Sequence, residues 1–500
     1  MLPQPDWAAK WALYQPEKVA VSSHEGQRSL TYAELNERGQ ALAVWLQEEW
    51  GLQKGDRIAV LAEFDLPYVV LFTAAQKGGY ILVPLNYRLA SAELDYLLSD
   101  AEPAAIFYEA KFQPLLVDAP HFMQQPQQLE LTELMQRSAG VQAEAMTRWQ
   151  NAELTADDPV FILYTSGTTG RPKGALYTHG MLFYNSINTE LSLALTSHSR
   201  TINCMPPFHT GGWNVLVTPL LHHGGYSCLM KKFDPEALLA LLKSEQPTVF
   251  MAVPTMLKMI ADQPGFAQAD LSSLNYLIVG GEPMPIPLIE AWHAKGIAVR
   301  QGYGMTEVGP NLTSLHQQDA IRKKGSIGFP NFYLDTRVVD PQGRDLPPNE
   351  PGELWLRSPV VTPGYWRNPE ATAKAKVDGW FRTGDQVIRD AEGYFFIVDR
   401  IKNMFISGGE NVYPAEVERV LLAHAAIEEA AVIGVPDPKW GEVGCAFVVC
   451  GDRPLDTEAV KAHCEAHLAR FKVPKQVVFL DALPKNDTGK IDRQRLKEVV

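Results

Sequence analysis

The chain is poor in cysteine. Its 500 residues include five, Cys204, Cys228, Cys445, Cys450 and Cys464, an odd number with no CxxC pair. That excludes a dense disulfide framework or a zinc-ribbon pattern and fits reduced, buried thiols. No apolar run approaches the roughly 18–20 residues of a membrane-spanning helix. Met1-Leu-Pro-Gln-Pro-Asp-Trp7 has no basic segment ahead of an apolar core, so no secretory signal is expected. There is no long basic run, and the formal net charge is −13, so nucleic acid is not expected as the main partner. Internal repeats and low-complexity segments are also missing. The remainder, 46% apolar and 21% charged, is that of an ordinary globular protein. At ~100–200 residues per domain it accommodates two to four structural units. The cytoplasm is the expected compartment. Peripheral membrane contact, and monomer against homodimer, stay open at this level.

What the chain does have is a concentrated loop, Tyr164-Thr-Ser-Gly-Thr-Thr-Gly-Arg-Pro-Lys-Gly174, entered from the apolar run Val160 to Tyr164. Glycines admit close backbone N–H groups, hydroxyls add donors and Lys173 adds charge, which is the chemistry of a phosphate cradle. It is not a Walker A loop, because Lys173 is followed by Gly174 rather than Ser or Thr.

The fold class reads as α/β. Thr31 and Glu34 are spaced for a capping box ahead of a helix carrying Leu35, Leu42, Trp45 and Leu46 at helical intervals. A strand at 57–62, a helix to Lys77 and a strand at 80–83 form a βαβ unit, which implies a parallel sheet covered by helices. Strands are expected again at 248–253, 274–279 and 297–300. The last two run into glycine-rich loops, Gly280-Gly-Glu-Pro283 and Gln301-Gly-Tyr-Gly-Met-Thr-Glu307. Ligands of open parallel sheets bind outside the carboxyl ends of strands, so these loops should converge with Thr165 to Gly174 on one site. After about Gly325, turn signals at 340–343, 347–352, 378–379 and 392–393 mark a small antiparallel β region. The last hundred residues read as a compact α+β unit, with a helix from Pro414, strands at 429–435 and 444–450, and a helix at 457–468.

Several motifs then occur in a fixed order: the 164–174 loop, Pro207-Phe-His-Thr-Gly-Gly-Trp213, Gln301 to Glu307, Trp380-Phe-Arg-Thr-Gly-Asp385, Asp399 to Pro414, and Pro484-Lys-Asn-Asp-Thr-Gly-Lys490. Together they resemble the ANL superfamily of adenylate-forming enzymes, which comprises acyl-CoA synthetases, adenylation domains and luciferases, and most resemble short bacterial fatty-acyl-CoA synthetases. The resemblance implies a large N-terminal AMP-binding domain (1–399) of βαβ-layered sheets plus a small β region, a hinge (400–402), and a small mobile α+β C-terminal lid (403–500). It implies ATP, Mg²⁺ and CoA as participants. A carboxylate attacks the α-phosphate of ATP to give acyl-AMP and pyrophosphate, and a thiol then displaces AMP.

The resemblance also assigns roles. Thr165, Ser166, Gly167, Thr168, Thr169 and Lys173 would hold the β- and γ-phosphates. Glu307 would bind Mg²⁺ and Thr306 the AMP phosphate. Gly281, Glu282, Pro283, Gln301, Gly302, Tyr303, Gly304 and Met305 would line the nucleotide, with Tyr303 stacked on adenine. Asp385 would accept both ribose hydroxyls, with Arg400 nearby, and Lys490 would serve the adenylation step. Lys402 would be the hinge. His209, Gly212, Trp213, Gly280 and Gly304 would border the acyl group, Trp213 resembling the gating tryptophan of long-chain synthetases. Gly408 and Gly409 would line a pantetheine tunnel, with Trp440, Phe471 and Lys475 near CoA. The expected substrate is a medium- or long-chain fatty acid. An aryl- or succinylbenzoate-type ligase and the loading of a free carrier protein are the alternatives, and Glycines 211 and 212 leave room for either a ring or a tunnel. No fused carrier domain is expected, since ten residues follow Lys490. A catalytically silent homologue would have lost Lys490, Glu307 or Asp385, and all three are present.

Overall fold

The computed structural model describes residues 6–165, 171–281, 284–407, 410–451, 455–486 and 489–500. The βαβ rhythm of the first third closes into a six-stranded sheet. Its order is Gln128–Glu130, Ala105–Tyr108, Arg57–Leu61, Ile81–Pro84, Pro159–Thr165 and Lys173–Thr178. All neighbours are parallel except the last pair, a hairpin in which Thr165 faces Lys173. The inner strands are buried on both faces, which is why Ile58-Ala-Val-Leu61 is a continuous apolar run rather than an alternating one. The helix Tyr32–Trp50 begins as its sequence requires: Thr31 Oγ1 accepts from the Glu34 amide at 3.2 Å and Glu34 Oε2 accepts from the Thr31 amide at 2.8 Å.

A second sheet runs Val249–Ala252, Tyr276–Val279, Ala298–Met305, Gly309–Ser314 and Phe329–Pro330. Its first three strands are parallel and the rest antiparallel. Here the structure corrects the sequence reading. Gln301 to Met305 is not a loop after the strand but its continuation, paired with the returning strand Gly309–Ser314. A Cβ at Gly304 would lie 2.2 Å from the Pro310 carbonyl oxygen, so this glycine serves the close approach of the two backbones. A third sheet joins Arg28–Thr31, Val19–Ser23, Tyr226–Leu229 and Arg200–Asn203.

Beyond residue 334 the expected antiparallel region is present, in the order Asp335–Val339, Gly352–Arg357, Trp380–Arg389 and Lys376–Val377, with Phe395–Arg400 also on Trp380–Arg389. The C-terminal α+β unit is built on Ile427–Asp437 and Gly441–Cys450, with the helices Pro414–Leu422 and Thr457–His467. Its own core holds Phe405, Val417, Leu421, Val432 and Val448. No helix among the described residues is long and apolar enough to cross a membrane.

Candidate active site

The ends of the parallel strands gather the residues singled out above. The strand Tyr276–Val279 delivers Gly280 and Gly281, and the latter needs its glycine because φ is +87°. Next to it, Gln301 is buried, and its Oε1 accepts from the Met284 amide at 3.1 Å. Gln301 thereby braces the far end of the Gly280–Met284 segment. A Cβ on Gly280 would stand 3.6 Å from the Gly302 carbonyl oxygen, so these two strand ends lie side by side.

After Met305 the chain makes a single 3₁₀ turn, Thr306–Val308, and this places Glu307 against a neighbour that sequence reading missed. The Tyr365 hydroxyl donates to Glu307 Oε1 at 2.9 Å, and the Thr362 amide donates to the Glu307 carbonyl at 2.7 Å. Lys173 Nζ lies over the Tyr365 ring at 5.6 Å. Tyr365 therefore couples the base of the glycine-rich hairpin to the buried glutamate. It is placed there by a bridge to Ala175, and the Trp366 amide bonds the Gly174 carbonyl at 2.7 Å. Burial, aided by the Glu307 carboxylate, raises the Tyr365 pKa, so its hydroxyl keeps its proton and acts as a donor.

The second cluster centres on Asp385, which is buried in the strand Trp380–Arg389. Tyr303 donates its hydroxyl to Asp385 Oδ2 at 2.5 Å, and Arg400 Nε lies 2.6 Å from Oδ1. Burial pushes the carboxyl above its usual range, outweighing the Arg400 charge beside it. The preceding residue turns the other way. Asp399 Oδ2 accepts from the Ala415 amide at 2.8 Å, in the first turn of the helix Pro414–Leu422, and Oδ1 accepts from Asn403 at 3.0 Å. Lys402 follows in the 3₁₀ turn Ile401–Asn403, its pKa lowered first by burial and then by the Arg400, Arg493 and Lys490 charges.

Lys490 belongs to the C-terminal unit, where its amide donates to Asn486 Oδ1 at 3.0 Å. Its charge nevertheless acts on Asp385 and on His209, both in the N-terminal part. The His209 ring keeps some exposure, but Nε2 is fully buried and has no hydrogen-bond partner among the described residues. Burial first, then Lys490 and Arg88, holds its pKa down to about 3, so the ring is neutral at ordinary pH. Lys490 thus acts on both Asp385 and His209, residues far apart in sequence, while the Arg400 charge beside Asp385 also reaches Tyr365, which holds Glu307.

Two acyl-site expectations are corrected. Trp213 is fully buried and is no pocket wall: it packs against Phe64, Tyr68, Phe72 and Phe161 at centroid distances of 4.3 to 5.4 Å. Its Nε1 donates to the Pro207 carbonyl at 2.9 Å. At Gly212 a Cβ would stand 2.2 Å from the Pro206 carbonyl oxygen, so that glycine serves a tight backbone contact and opens no space. Gly211 is the roomier of the pair, with only Met251 Cε at 3.8 Å. Trp440, Phe471 and Lys475 are exposed on the C-terminal unit. Ser166, Gly167, Thr168, Thr169, Glu282, Pro283, Gly408 and Gly409 lie outside the described residues.

The AMP-binding enzyme family matches residues 8–366, and the AMP-binding enzyme C-terminal domain matches 416–490. A feruloyl-CoA synthase from Amycolatopsis sp is 40% identical over 97% of the chain and 96% of its own length. The long-chain-fatty-acid–CoA ligase FadD13 of Mycobacterium tuberculosis (strain ATCC 25618 / H37Rv) is 37% identical over 94% and 93%. Among solved structures, the o-succinylbenzoate CoA synthetase MenE from Bacillus subtilis, in complex with its acyl-adenylate intermediate, superposes with a TM-score of 0.90 at 31% identity, covering 99% of both chains. The chain belongs to the AMP-binding enzymes of the ANL superfamily and is an AMP-forming acid–thiol ligase.

Proposed function

We propose that the chain is a CoA ligase for a ring-bearing carboxylic acid, working through an acyl-adenylate. The observation that carries the chemistry is the buried Asp385 held by Tyr303 and Arg400 in a chain that the AMP-binding enzyme family matches over 8–366 and its C-terminal domain over 416–490. In the first half-reaction a carboxylate oxygen forms a bond to the α-phosphorus of ATP, and the bond to pyrophosphate breaks. Lys490 supplies positive charge where negative charge crowds, and His209, being neutral, borders the acid without adding charge. Asp385 receives the ribose hydroxyls in place of Tyr303 and Arg400, and the 165–173 hairpin takes the departing phosphates. In the second half-reaction the CoA sulfur bonds the acyl carbon and AMP leaves. Rotation about Lys402, within the proposed 400–402 hinge, removes Lys490 and brings Gly408 and Gly409 to the site.

A Mg²⁺ ion fits Glu307. This buried carboxylate has one oxygen on a neutral tyrosine hydroxyl, and Mg²⁺ asks for one or two protein carboxylates while keeping water and phosphate as its other ligands. When bound it would neutralise phosphate charge. The Tyr365 hydroxyl fixes the orientation of the carboxylate that would hold it.

The ring-bearing acid is preferred to the long chain that the sequence suggested, because Trp213, the residue that carried the long-chain reading, is buried among core aromatic rings. The similarity to a feruloyl-CoA synthase supports the same reading. A fatty acid is the second reading, favoured by the similarity to FadD13. The test is ATP- and CoA-dependent AMP formation on ferulate, coumarate, indoleacetate, o-succinylbenzoate and a hexanoate-to-palmitate series. At least about tenfold higher kcat/KM for one of the ring acids is expected. Palmitate as the best substrate would overturn it in favour of the fatty-acid reading.

A further inference from the structure

Tyr164 opens the glycine-rich loop but has no role in the chemistry proposed above. Its hydroxyl donates to Asp100 Oδ2 at 2.6 Å. The Leu97 carbonyl, at 3.5 Å, is too distant to take over that bond. Asp100 lies in the last turn of the helix Ser91–Ala101, where a negative charge opposes the helix dipole. The carboxylate therefore does not serve its own helix; it is engaged by the hairpin. Burial first, and then the Asp100 carboxylate, raises the Tyr164 pKa, so the hydroxyl keeps its proton and remains the donor.

The same helix end grips the other strand of the hairpin. The Asp100 carbonyl, in the last turn and without a partner in its own helix, accepts from Trp366 Nε1 at 3.0 Å. The Trp366 amide in turn donates to the Gly174 carbonyl at 2.7 Å. Gly174 is the residue paired with Tyr164, and a Cβ on it would stand 3.4 Å from both Tyr164 Cε1 and Trp366 Cβ. One turn back on the same helix face, Tyr96 donates its hydroxyl to the Pro172 carbonyl at 3.2 Å, and the Arg171 guanidinium lies over its ring at 5.6 Å. One helix thus holds residues 164, 172 and 174, which flank the pair Thr165 and Lys173. A binding element held in place beforehand loses less freedom when its ligand arrives.

We propose that Asp100 is a positioning residue for ATP: its carboxylate holds the Tyr164 hydroxyl at the root of the hairpin and so fixes Thr165 and Lys173 where the β- and γ-phosphates are to be received. This rests on the reading that the 165–173 hairpin takes those phosphates. The experiment is calorimetric titration of the full chain with MgATP and, separately, with AMP, which lacks both phosphates. Tyr164→Phe and Asp100→Ala should each weaken MgATP about fivefold and leave AMP within about twofold. The double variant should be no weaker than either single one, since both remove the same bond. Asp100→Asn keeps an acceptor oxygen and should hold MgATP within about twofold of wild type. Tyr164→Phe changes a single hydroxyl and decides the matter alone should Asp100→Ala fail to fold. Unmoved MgATP affinity, equal weakening of both nucleotides, or additive losses in the double variant would overturn the proposal. Lys173→Ala separates the two levels. If it weakens MgATP while the Asp100 and Tyr164 variants do not, Asp100 loses its role and the phosphate reading stands. If Lys173→Ala leaves MgATP unchanged, the phosphate reading falls and the role of Asp100 falls with it.

Discussion

Replacing Trp213 with Phe separates a core residue from a pocket gate. The indole is completely buried among four aromatic rings and donates to the Pro207 carbonyl at 2.9 Å. Phe cannot donate, so a buried carbonyl loses its partner at a cost of about 1 kcal/mol. The smaller ring leaves ~40 Å³ unfilled, which at ~24 cal/mol per Å³ adds about 1 kcal/mol. The sum, about 2 kcal/mol, should lower the urea midpoint of the N-terminal transition by about 0.7 M at a slope of ~3 kcal/mol per M. Because the ring touches no acid in this reading, the ratios of kcat/KM across ring and straight-chain acids should hold within about twofold. Urea titration by intrinsic fluorescence and the acid panel on one preparation provide both numbers. An unmoved midpoint with a reordered acid preference would refute the reasoning and make Trp213 a pocket wall.

Lys490→Ala should abolish acid-dependent pyrophosphate release and spare thioester formation from supplied acyl-adenylate and CoA; equal loss in both assays would remove Lys490 from the first half-reaction. Lys77→Ala strips the partner from Asp6, a pair 2.7 Å apart and almost fully buried, and should cost about 3–5 kcal/mol. Limited proteolysis should then cut near the exposed Tyr14 faster than in wild type. The pH dependence has a definite sign. Burial lowers the pKa of His179 to about 4 and that of His222 to about 3. The unfolded rings, near 6.5, take protons that the folded ones refuse, so stability is full above about pH 6.5 and falls as pH drops towards 4, by ~1.4 kcal/mol per pH unit and ring. Unfolding midpoints at pH 7, 6 and 5 check this, and His179→Asn should flatten the profile.

Local signals in the sequence were read well wherever the cause was itself local. The Thr31–Glu34 box, the buried strand after Arg57 and the helix from Pro414 each depend on neighbours within a few residues, and all are present. The stretch Gln301 to Met305 misled because glycines suggest a loop, whereas here they let a partner strand approach, and pairing partners are not written in a local window. Trp213 misled for a related reason. A motif places a residue in the chain but does not say which way its side chain points, and four aromatic rings from other elements decided that. Tyr365 was overlooked because its meaning depends on Ala175 and Glu307, both remote in sequence. The order of motifs was enough for the chemistry, whereas the choice of acid depends on side-chain packing, which no spacing pattern encodes.

The seating of the first helix has a consequence for how the chain folds. Trp7 stacks on His222 at 4.3 Å, and Trp11 Nε1 donates to the His222 carbonyl at 2.8 Å, while Asp6 is locked by Lys77. During synthesis this helix is made well before its docking platform, which is complete only after the helix Val217–His223 has emerged. Until then two indoles must wait for their partner, and contacts of such long range form slowly. This helix therefore closes its contact with His222 only after some two hundred further residues have been made. Refolding from urea should show a late phase in Trp7 quenching, and a bulky fusion placed against Asp6 should slow that phase more than any other step.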